Sequence, residues 1–263
     1  MKLKDKIVIV TASTRGIGLA VTKACAREGA TVYMAARSLE KAQTQANLLN
    51  QEGCTVKCVY HDAGVPASYT AMAETVAKNE GRIDVLVNNF GTSDPQRDRD
   101  LANTDEDVFL DTVTLNLRSV FSASKAVLAY MKNGGSIVNI SSVGGSVPDV
   151  SQIAYGTSKA AINYLTQQIA VHEAAHNIRC NAVLPGMTAT DAVKQTLSDE
   201  FRALFLKHVP LGRMGLPEEI AAAVVYFASD DSAYTTGQIL TVSGGFGLAT
   251  PVYGDLKDKP DRR

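Results

Sequence analysis

Short, continuous apolar runs alternate along the chain with longer segments whose apolar residues recur at helical spacing. Such runs are typical of parallel strands that are covered on both faces, and together with an alternating run at 55–60 they predict strands at residues 6–11, 31–36, 55–60, 83–91, 136–142, 178–184 and 237–242. The segments between them predict helices to about residue 28, then at 39–52, 69–80, 104–131 and 153–176, and one from residue 217. This order predicts an α/β fold over residues 1–263, a single doubly wound domain with a parallel sheet of about seven strands.

A glycine-bearing turn follows the first predicted strand. Backbone N–H groups at the start of a helix bind phosphate oxygens, and glycines let the phosphates come close. A glycine pattern alone is weak evidence, but Gly29 ends this helix and a second buried strand follows, as in a dinucleotide-binding unit. We therefore expect this end of the strand and its turn to bind a dinucleotide through Thr11, Ser13, Thr14, Arg15, Gly16, Ile17 and Gly18.

The end of the second strand distinguishes the two nicotinamide cofactors. An acidic residue there would accept a hydrogen bond from the ribose 2′-OH and repel a 2′-phosphate, but the strand ends in Ala36. Arg37 and Ser38 follow, and Arg15 in the turn could converge with Arg37 on a phosphate, which favours NADP(H). The alternative is that Arg37 only solvates a loop. After the third strand, Asp62 is placed to meet the adenine amino group, with Ala63 beside it.

Tyr155 and Lys159 stand four residues apart at the start of the predicted helix at 153–176. Residues at this spacing lie on one helix face. A nearby ammonium favours the phenolate and would lower the tyrosine pKa from about 10 toward the range of acid–base catalysis. Pairs at this spacing are also common on ordinary surfaces, so the catalytic interpretation depends on a cofactor site elsewhere in the chain.

Composition and charge exclude several classes of partner. The chain is 45% hydrophobic and 20% charged with a formal net charge of −1, which gives no general attraction for nucleic acid or an anionic membrane. Its cysteines lack metal-binding spacing, so we expect buried free thiols and no metal site. The charged N-terminus and the lack of a long apolar span predict a cytoplasmic protein.

Two segments are candidates for the rim of a site. Residues 187–210 have a helical patch after Ser198 between loop-like ends and predict a substrate lid, whose apolar residues are Met187, Val193, Leu197, Phe201, Leu204 and Phe205. Phe246 and Leu248 could close the lid from the other side, and the alternative is that all these residues are structural. Residues 93–100 could rim the site, although a solvated loop is the preferred interpretation. A flexible tail is expected at about 255–263.

Several motifs in order resemble the short-chain dehydrogenase/reductase family over nearly the whole chain. They are Thr11 to Gly18, Asn88-Asn89-Phe90-Gly91, Asn116, Ser142, Tyr155 with Lys159, Pro185-Gly186 and Ser243-Gly244-Gly245. The resemblance implies a Rossmann fold. Two residues depart from the family pattern: Ala12 replaces the first glycine of the turn, and Phe90 replaces an alanine. Ala12 predicts a turn whose backbone avoids positive φ at that position.

The resemblance also implies roles for individual residues. Tyr155 would be the general acid and base, Ser142 would hydrogen-bond the substrate oxygen, and Lys159 would both lower the tyrosine pKa and hold the nicotinamide ribose. Asn116 is similar to the family residue that positions a water in the proton path. The nicotinamide half would be lined by Asn89, Tyr155, Lys159, Pro185, Gly186, Thr188 and Thr190. A homotetramer is implied, with the helices at 104–131 and 153–176 pairing between subunits.

A narrower similarity points to bacterial 7α-hydroxysteroid dehydrogenases, which act on bile acids. It rests on Thr14 to Gly18, Ala35 to Ser38, Val147-Pro148-Asp149 and Gly245 to Pro251. It implies an NADP(H)-dependent oxidoreductase that interconverts a secondary hydroxyl and a ketone on a steroid. A 3-oxoacyl-(acyl carrier protein) reductase or another short-chain carbonyl reductase would use the same residues. A non-catalytic NADP(H)-sensing protein is a more distant alternative, since it has no reason to keep Asn116, Ser142, Tyr155 and Lys159 together.

Overall fold

A seven-stranded parallel sheet runs through the protein, for which a computed structural model describes residues 1–250 and 252–257. The strand order is β3-β2-β1-β4-β5-β6-β7, and every neighbouring pair is parallel. This confirms the predicted fold class. The strands are β1 (Ile7–Thr11), β2 (Thr31–Ala36), β3 (Thr55–Tyr60), β4 (Val85–Asn88), β5 (Gly135–Ile140), β6 (Ile178–Pro185) and β7 (Ile239–Val242).

Helices cover both faces of this sheet. They are α1 (Gly16–Arg27), α2 (Leu39–Gln51), α3 (Pro66–Glu80), α4 (Glu106–Leu128), α5 (Ile153–His172), α6 (Asp191–Thr196), α7 (Asp199–Lys207), α8 (Pro217–Ala228) and α9 (Tyr253–Leu256). Short 3₁₀ turns lie at Val143–Gly145, Ala174–His176 and Asp230–Ser232. Among the described residues, no helix combines the length and hydropathy that crossing a bilayer requires.

The alternation of side chains along each strand supplies two hydrophobic cores. In β1, Val8 and Val10 pack with α1, α2 and α8, whereas Ile7 and Ile9 pack with α3, α4 and α5. Because both faces of the strand are buried, the run is apolar without interruption. The strand order reverses between β1 and β4, and ligands of doubly wound folds bind outside the carboxyl ends of the strands at such a point.

Most boundaries lie close to the predicted ones, with differences at the ends. Strand β4 stops at Asn88 because Asn89 turns out of the sheet to bond the end of β1. Helix α5 stops at His172, and the rest of the predicted helix is a 3₁₀ turn. Cys25 and Cys180 are buried as expected, but Cys54 and Cys58 are only half-buried. Helix α9 occupies the start of the predicted tail, whose residues 258–263 lie outside the described part of the chain.

Candidate active site

Helix α5 places Tyr155 and Lys159 one turn apart at the carboxyl edge of the sheet. The Lys159 side chain is 2% exposed, and its Nζ lies 5.5 Å from the centre of the Tyr155 ring. Nζ donates to the carbonyl of Ile140 at the end of β5, at 2.9 Å. This is its one hydrogen bond within the described residues, and an ammonium has three protons to donate. A buried cation with donors to spare suits a hydroxyl-bearing ligand.

Ser142 reaches Tyr155 from the turn after β5. The Val143–Gly145 turn packs directly on α5, since a Cβ on Gly145 would lie 2.6 Å from the backbone carbon of Lys159. Glycine therefore allows this close approach. The Ser142 Oγ accepts from the Gly144 N–H at 3.2 Å, which fixes the hydroxyl at the start of the turn.

Burial has the largest effect on the pKa values of Tyr155 and Lys159. It raises the pKa of Tyr155, which a hydrogen bond with Ser142 only partly offsets. Burial also lowers the pKa of Lys159 from 10.5 to about 8. The sequence predicts that Lys159 lowers the pKa of Tyr155. In the structure burial raises that pKa, so the predicted direction is wrong. The physical reason is that the ammonium bonds Ile140 while the phenol loses its hydration.

Asn116 is fully buried on α4 and connects three parts of the site. Its Oδ1 accepts from the Thr92 N–H at 2.8 Å, and its Nδ2 donates to the Thr92 carbonyl at 2.9 Å and to Ser158 Oγ at 3.0 Å. Both amide protons are therefore used by the protein. A water molecule in a proton path could bind only an oxygen of Asn116. The structure brings Asn116 next to α5 but ties its amide to other residues.

The turn after β1 forms a close-fitting cradle. Gly16 has φ of +54°, and a Cβ on Gly18 would lie 2.5 Å from both the Ala12 carbonyl oxygen and Asn89 Nδ2. The Ser13 Oγ is buried without a hydrogen-bond partner in the part of the chain that the structure describes. Such an orphaned hydroxyl at a helix start fits a phosphate oxygen. Thr14 and Ile17 are half-buried in the same turn. These residues fit the dinucleotide that the sequence predicts.

Ala12 has φ of +50°, so the prediction that this turn avoids positive φ is wrong. The left-handed conformation costs an L-residue about 1–2 kcal/mol. Two tertiary bonds hold it, since the Ala12 N–H donates to the Ala35 carbonyl at 2.9 Å and the Ala12 carbonyl accepts from Asn89 Nδ2 at 3.0 Å. Ala12 therefore takes a left-handed conformation that a glycine adopts without this cost.

Thr11 joins the carboxyl end of β1 to the residues that follow β4. Its Oγ1 accepts from the backbone N–H groups of Asn89 and Phe90, at 2.9 and 3.2 Å. These bonds place Asn89 against the glycine turn, where its Nδ2 reaches Ala12. Thr11 and Asn89 therefore shape the cradle, and Phe90 is accommodated at the position where the family has alanine.

Arg15 and Arg37 are exposed at the ends of neighbouring strands, and neither has an ion-pair partner among the described residues. Ser38 caps α2 by accepting from the Lys41 N–H at 3.4 Å. Asp62 accepts from the Gly64 N–H at 2.9 Å, and the buried Ala63 bonds Tyr69 through its carbonyl. Within the described chain, two cations without ion-pair partners thus lie on the predicted 2′-phosphate side, while Ser38, Asp62 and Ala63 shape the loops around it.

The segment after β6 passes over the glycine turn. Gly186 donates to the Val242 carbonyl at 3.0 Å, and Thr188 Oγ1 donates to the Gly186 carbonyl at 3.0 Å. The Thr190 methyl lies 3.3 Å from where a Cβ of Gly16 would be, and its hydroxyl caps α6. Pro185, Gly186, Thr188 and Thr190 are therefore brought to the same edge as the cradle.

A cleft of about 550 Å³ opens above Tyr155 and Ser142. Phe205 of α7 and Phe246 roof it, with their rings stacked 4.5 Å apart at 18°. The lining comprises residues 99–101, 142–153 and 155–157 with Ala160, Phe205 and Phe246. Of the apolar lid residues that the sequence singled out, Phe205 lines this cleft, whereas Phe201 is 48% exposed and does not.

Sequence reasoning missed the contribution of the loop between β4 and α4. The preferred interpretation was a solvated loop, but Asp98 is fully buried and Arg99 and Leu101 line the cleft. The signal in the sequence is the mixed charge of residues 93–100. One of these charges is the Asp98 carboxylate, whose partners lie more than 50 residues away on α5. Composition alone does not distinguish such a residue from its exposed neighbours.

Comparison with known proteins adds to this geometry. A family model described as enoyl-(acyl carrier protein) reductase matches residues 11–247. A 7alpha-hydroxysteroid dehydrogenase of Clostridium sardiniense is 52% identical over 256 residues, covering 97% of this chain and 98% of the relative. A 3-oxoacyl-[acyl-carrier-protein] reductase of Vibrio cholerae is 38% identical, covering 93% and 98%.

A solved structure shares the fold of this chain. A mutant of a Serratia marcescens short-chain dehydrogenase/reductase superposes with a TM-score of 0.87 at 30% identity, covering 94% of this chain and 100% of that one. The family model spans most of the chain, and the relative from Clostridium sardiniense matches it over nearly its full length. The order of the motifs and the parallel sheet with its glycine turn are consistent with both findings. The chain belongs to the short-chain dehydrogenase/reductase family of oxidoreductases.

Proposed function

We propose that this protein is an NADP(H)-dependent hydroxysteroid dehydrogenase that interconverts a secondary hydroxyl and a ketone on a bile-acid-like steroid. The observation that carries the proposal is the placement of Tyr155 and Ser142 on the wall of the 550 Å³ cleft, with the buried Lys159 ammonium beside them. A cleft of this size, with aromatic rings over it, suits a rigid apolar ligand with few polar groups. The relative that is 52% identical is named for this activity.

The proposed chemistry assigns one task to each residue. Bound nicotinamide supplies the hydride acceptor in oxidation and the donor in reduction. Tyr155 takes the hydroxyl proton in oxidation and returns it in reduction. Ser142 donates a hydrogen bond to the substrate oxygen, where negative charge develops. The Lys159 ammonium, buried where charge interactions are strong, stabilises the phenolate of Tyr155 and offers its remaining protons to the ribose.

The cofactor would be held along the carboxyl edge of the sheet. The glycine turn with the orphaned Ser13 hydroxyl would receive the pyrophosphate. Arg15 and Arg37, which are free of ion pairs in the described chain, would receive the 2′-phosphate. Asp62 and Ala63 would border the adenine. Asn89 and the segment from Pro185 to Thr190 would border the nicotinamide.

The test is a spectrophotometric assay of NADP⁺ reduction with a panel of bile acids and simple secondary alcohols. We expect turnover of 7α-hydroxy bile acids, with far weaker activity on small alcohols. Tyr155→Phe removes the proton donor without changing the helix, so kcat should fall by about 10³-fold while NADPH still binds. Tyr234→Phe, at a fully exposed position outside the cleft, is the matched control. Near-normal turnover by Tyr155→Phe would refute the mechanism.

Reduction of a 3-oxoacyl group on a carrier protein is the second candidate, since a relative with that name is 38% identical. An acidic carrier would favour a basic entrance. The lining of the cleft instead carries mixed charge, since it includes Arg99, Asp100 and Asp149. We therefore expect weak reduction of an acetoacetyl carrier protein. Higher kcat/KM on that substrate than on any steroid would reverse the assignment.

A further inference from the structure

The first turn of α5 is capped by a different part of the chain. The first four N–H groups of a helix have no partner within the helix. Here those of Gln152 and Ile153 donate to the carbonyls of Asp98 and Arg99, at 3.2 and 3.1 Å. Those of Ala154 and Tyr155 donate to the two carboxylate oxygens of Asp98, each at 2.9 Å. All four acceptors belong to Asp98 and Arg99 in the loop between β4 and α4.

The local sequence provides no substitute for this cap. Gln152, at the N-cap position, has φ of +60°, and its side chain makes no cap hydrogen bond. The Asp98 carboxylate is fully buried, where an unpaired charge would be strongly destabilising. Two N–H donors and the positive end of the helix dipole satisfy it. The contact is therefore strong and leaves little freedom to either partner.

The same loop is tied to α5 by a second route. The Tyr155 carbonyl accepts from Ser158 Oγ at 2.7 Å, and Ser158 Oγ accepts from Asn116 Nδ2 at 3.0 Å. The Asn116 amide in turn holds both backbone groups of Thr92. From Thr92 the chain runs back to Asp98. These bonds form a closed ring around the backbone of Tyr155, and Asp98 and Asn116 are its two anchors.

We propose that Asp98 is a positioning residue for Tyr155. By holding the Tyr155 N–H it fixes where the phenol stands relative to Ser142 and to the substrate oxygen. The next residues of the loop, Arg99 and Leu101, line the cleft, so the carboxylate also fixes the substrate wall to the helix that carries the acid. The proposal rests on the proposed function, since it assigns to Tyr155 the proton transfer that Asp98 supports.

The first experiment compares Asp98→Asn with Asp94→Asn. Asparagine can accept one of the two N–H groups, but its amide NH₂ faces the other, so the first turn must shift. A misplacement of about 1 Å can reduce turnover about 100-fold. We expect kcat for the steroid to fall by roughly that factor while the Kd for NADPH stays within about twofold. Asp94 lies exposed in the same loop, its carboxylate bonded to the Gln96 N–H, and its variant should behave as the wild type.

The decisive measurement repeats Asp98→Asn in the Tyr155→Phe background. A residue that acts through the Tyr155 hydroxyl loses its effect when that hydroxyl is gone, so Asp98→Asn should lower the residual rate by less than about threefold. An equal fold-loss in both backgrounds would mean a merely structural role and would overturn the proposal. Wild-type kcat in Asp98→Asn, with Tyr155→Phe inactive, would overturn it and leave the proposed function intact. High activity of Tyr155→Phe would instead refute the proposed function.

Ser158→Ala keeps the test open if Asp98→Asn does not fold. This change opens the ring at its other side, where the Ser158 hydroxyl joins Tyr155 to Asn116, and leaves the Asp98 cap in place. We expect a smaller loss of kcat that also disappears in the Tyr155→Phe background. A Ser158→Ala enzyme with unchanged kcat would contradict the closed ring on which the proposal depends.

Discussion

Lys159 is a buried lysine whose ammonium form destabilises the folded protein. Burial lowers its pKa from 10.5 to about 8, so below about pH 8 the folded protein carries the full destabilisation of a buried charge. Between these two values the unfolded chain binds a proton that the folded chain lacks. Stability contributed at this residue therefore rises with pH across that window. The proton transfer that we propose for Tyr155 gives a reason for keeping this destabilising cation in the site.

For Lys159→Met we expect a pH-dependent change in stability. As pH rises from about 8 to 10.5, the wild type should gain stability at this residue and the variant should not. The free energy of unfolding of the variant, relative to that of the wild type, should therefore decrease by at most about 3 kcal/mol over this range. Urea unfolding followed by circular dichroism at a series of pH values measures it. The exposed Lys125→Met is the matched control for a lost ammonium. A difference that stays flat across the window would contradict a buried, charged Lys159.

Arg37 should determine the choice of cofactor. Arg37→Asp replaces the proposed partner of the 2′-phosphate by a repelling carboxylate, and a hydrogen bond to a charged group contributes about 1.5–3 kcal/mol. The ratio of kcat/KM for NADP⁺ to that for NAD⁺ should fall by roughly 100-fold. Lys78→Asp makes the same change of charge at an exposed position on α3 and serves as the control. An unchanged ratio would mean that Arg37 only solvates its loop.

At the scale of elements, α7 carries two phenylalanines with different surroundings. Phe205 stacks on Phe246 over the cleft, while Phe201 is 48% exposed and outside it. If α7 is a substrate lid, Phe205→Ala should raise KM for a bulky hydroxysteroid about tenfold and leave that for a small alcohol nearly unchanged, since a stacked pair and its buried area contribute a few kcal/mol. Phe201→Ala is the matched control. Equal losses on both substrates would make α7 structural.

At the scale of the whole molecule, α4 and α5 pack together and expose apolar side chains. Phe121 and Tyr164 are 53% and 64% exposed, and Leu110 and Val171 are 50% and 75% exposed. Large exposed apolar side chains on adjacent helices are typical of subunit interfaces. We therefore expect the homotetramer that the family resemblance implies.

Light scattering tests the assembly. The wild type should have the mass of four chains, and Phe121→Glu should lower it by placing a charge in the interface. Leu39→Glu, a similarly exposed apolar position on α2, is the control and should not change the mass. A monomeric wild type at working concentration would refute the prediction.

The sequence by itself determined the order of strands and helices, because hydrophobic periodicity is local and each strand carries either an apolar run or, in β3, an alternating pattern. It also identified the glycine turn and the Tyr155–Lys159 pair, since chemistry at fixed spacing can be read along one chain. It did not determine the end of β4, because Asn89 leaves the sheet for a partner on β1, 78 residues away.

Only the tertiary structure decided what depends on distant contacts. Ala12 takes a positive φ because bonds to Ala35 and Asn89 hold it there. The pKa of Tyr155 is raised because folding buries the phenol, an effect that the i, i+4 spacing does not contain. Asp98 resembles its exposed neighbours in sequence and differs from them only because the fold brings it to the start of α5. Periodicity and spacing are properties of a segment, whereas burial and hydrogen-bond partners belong to the folded chain.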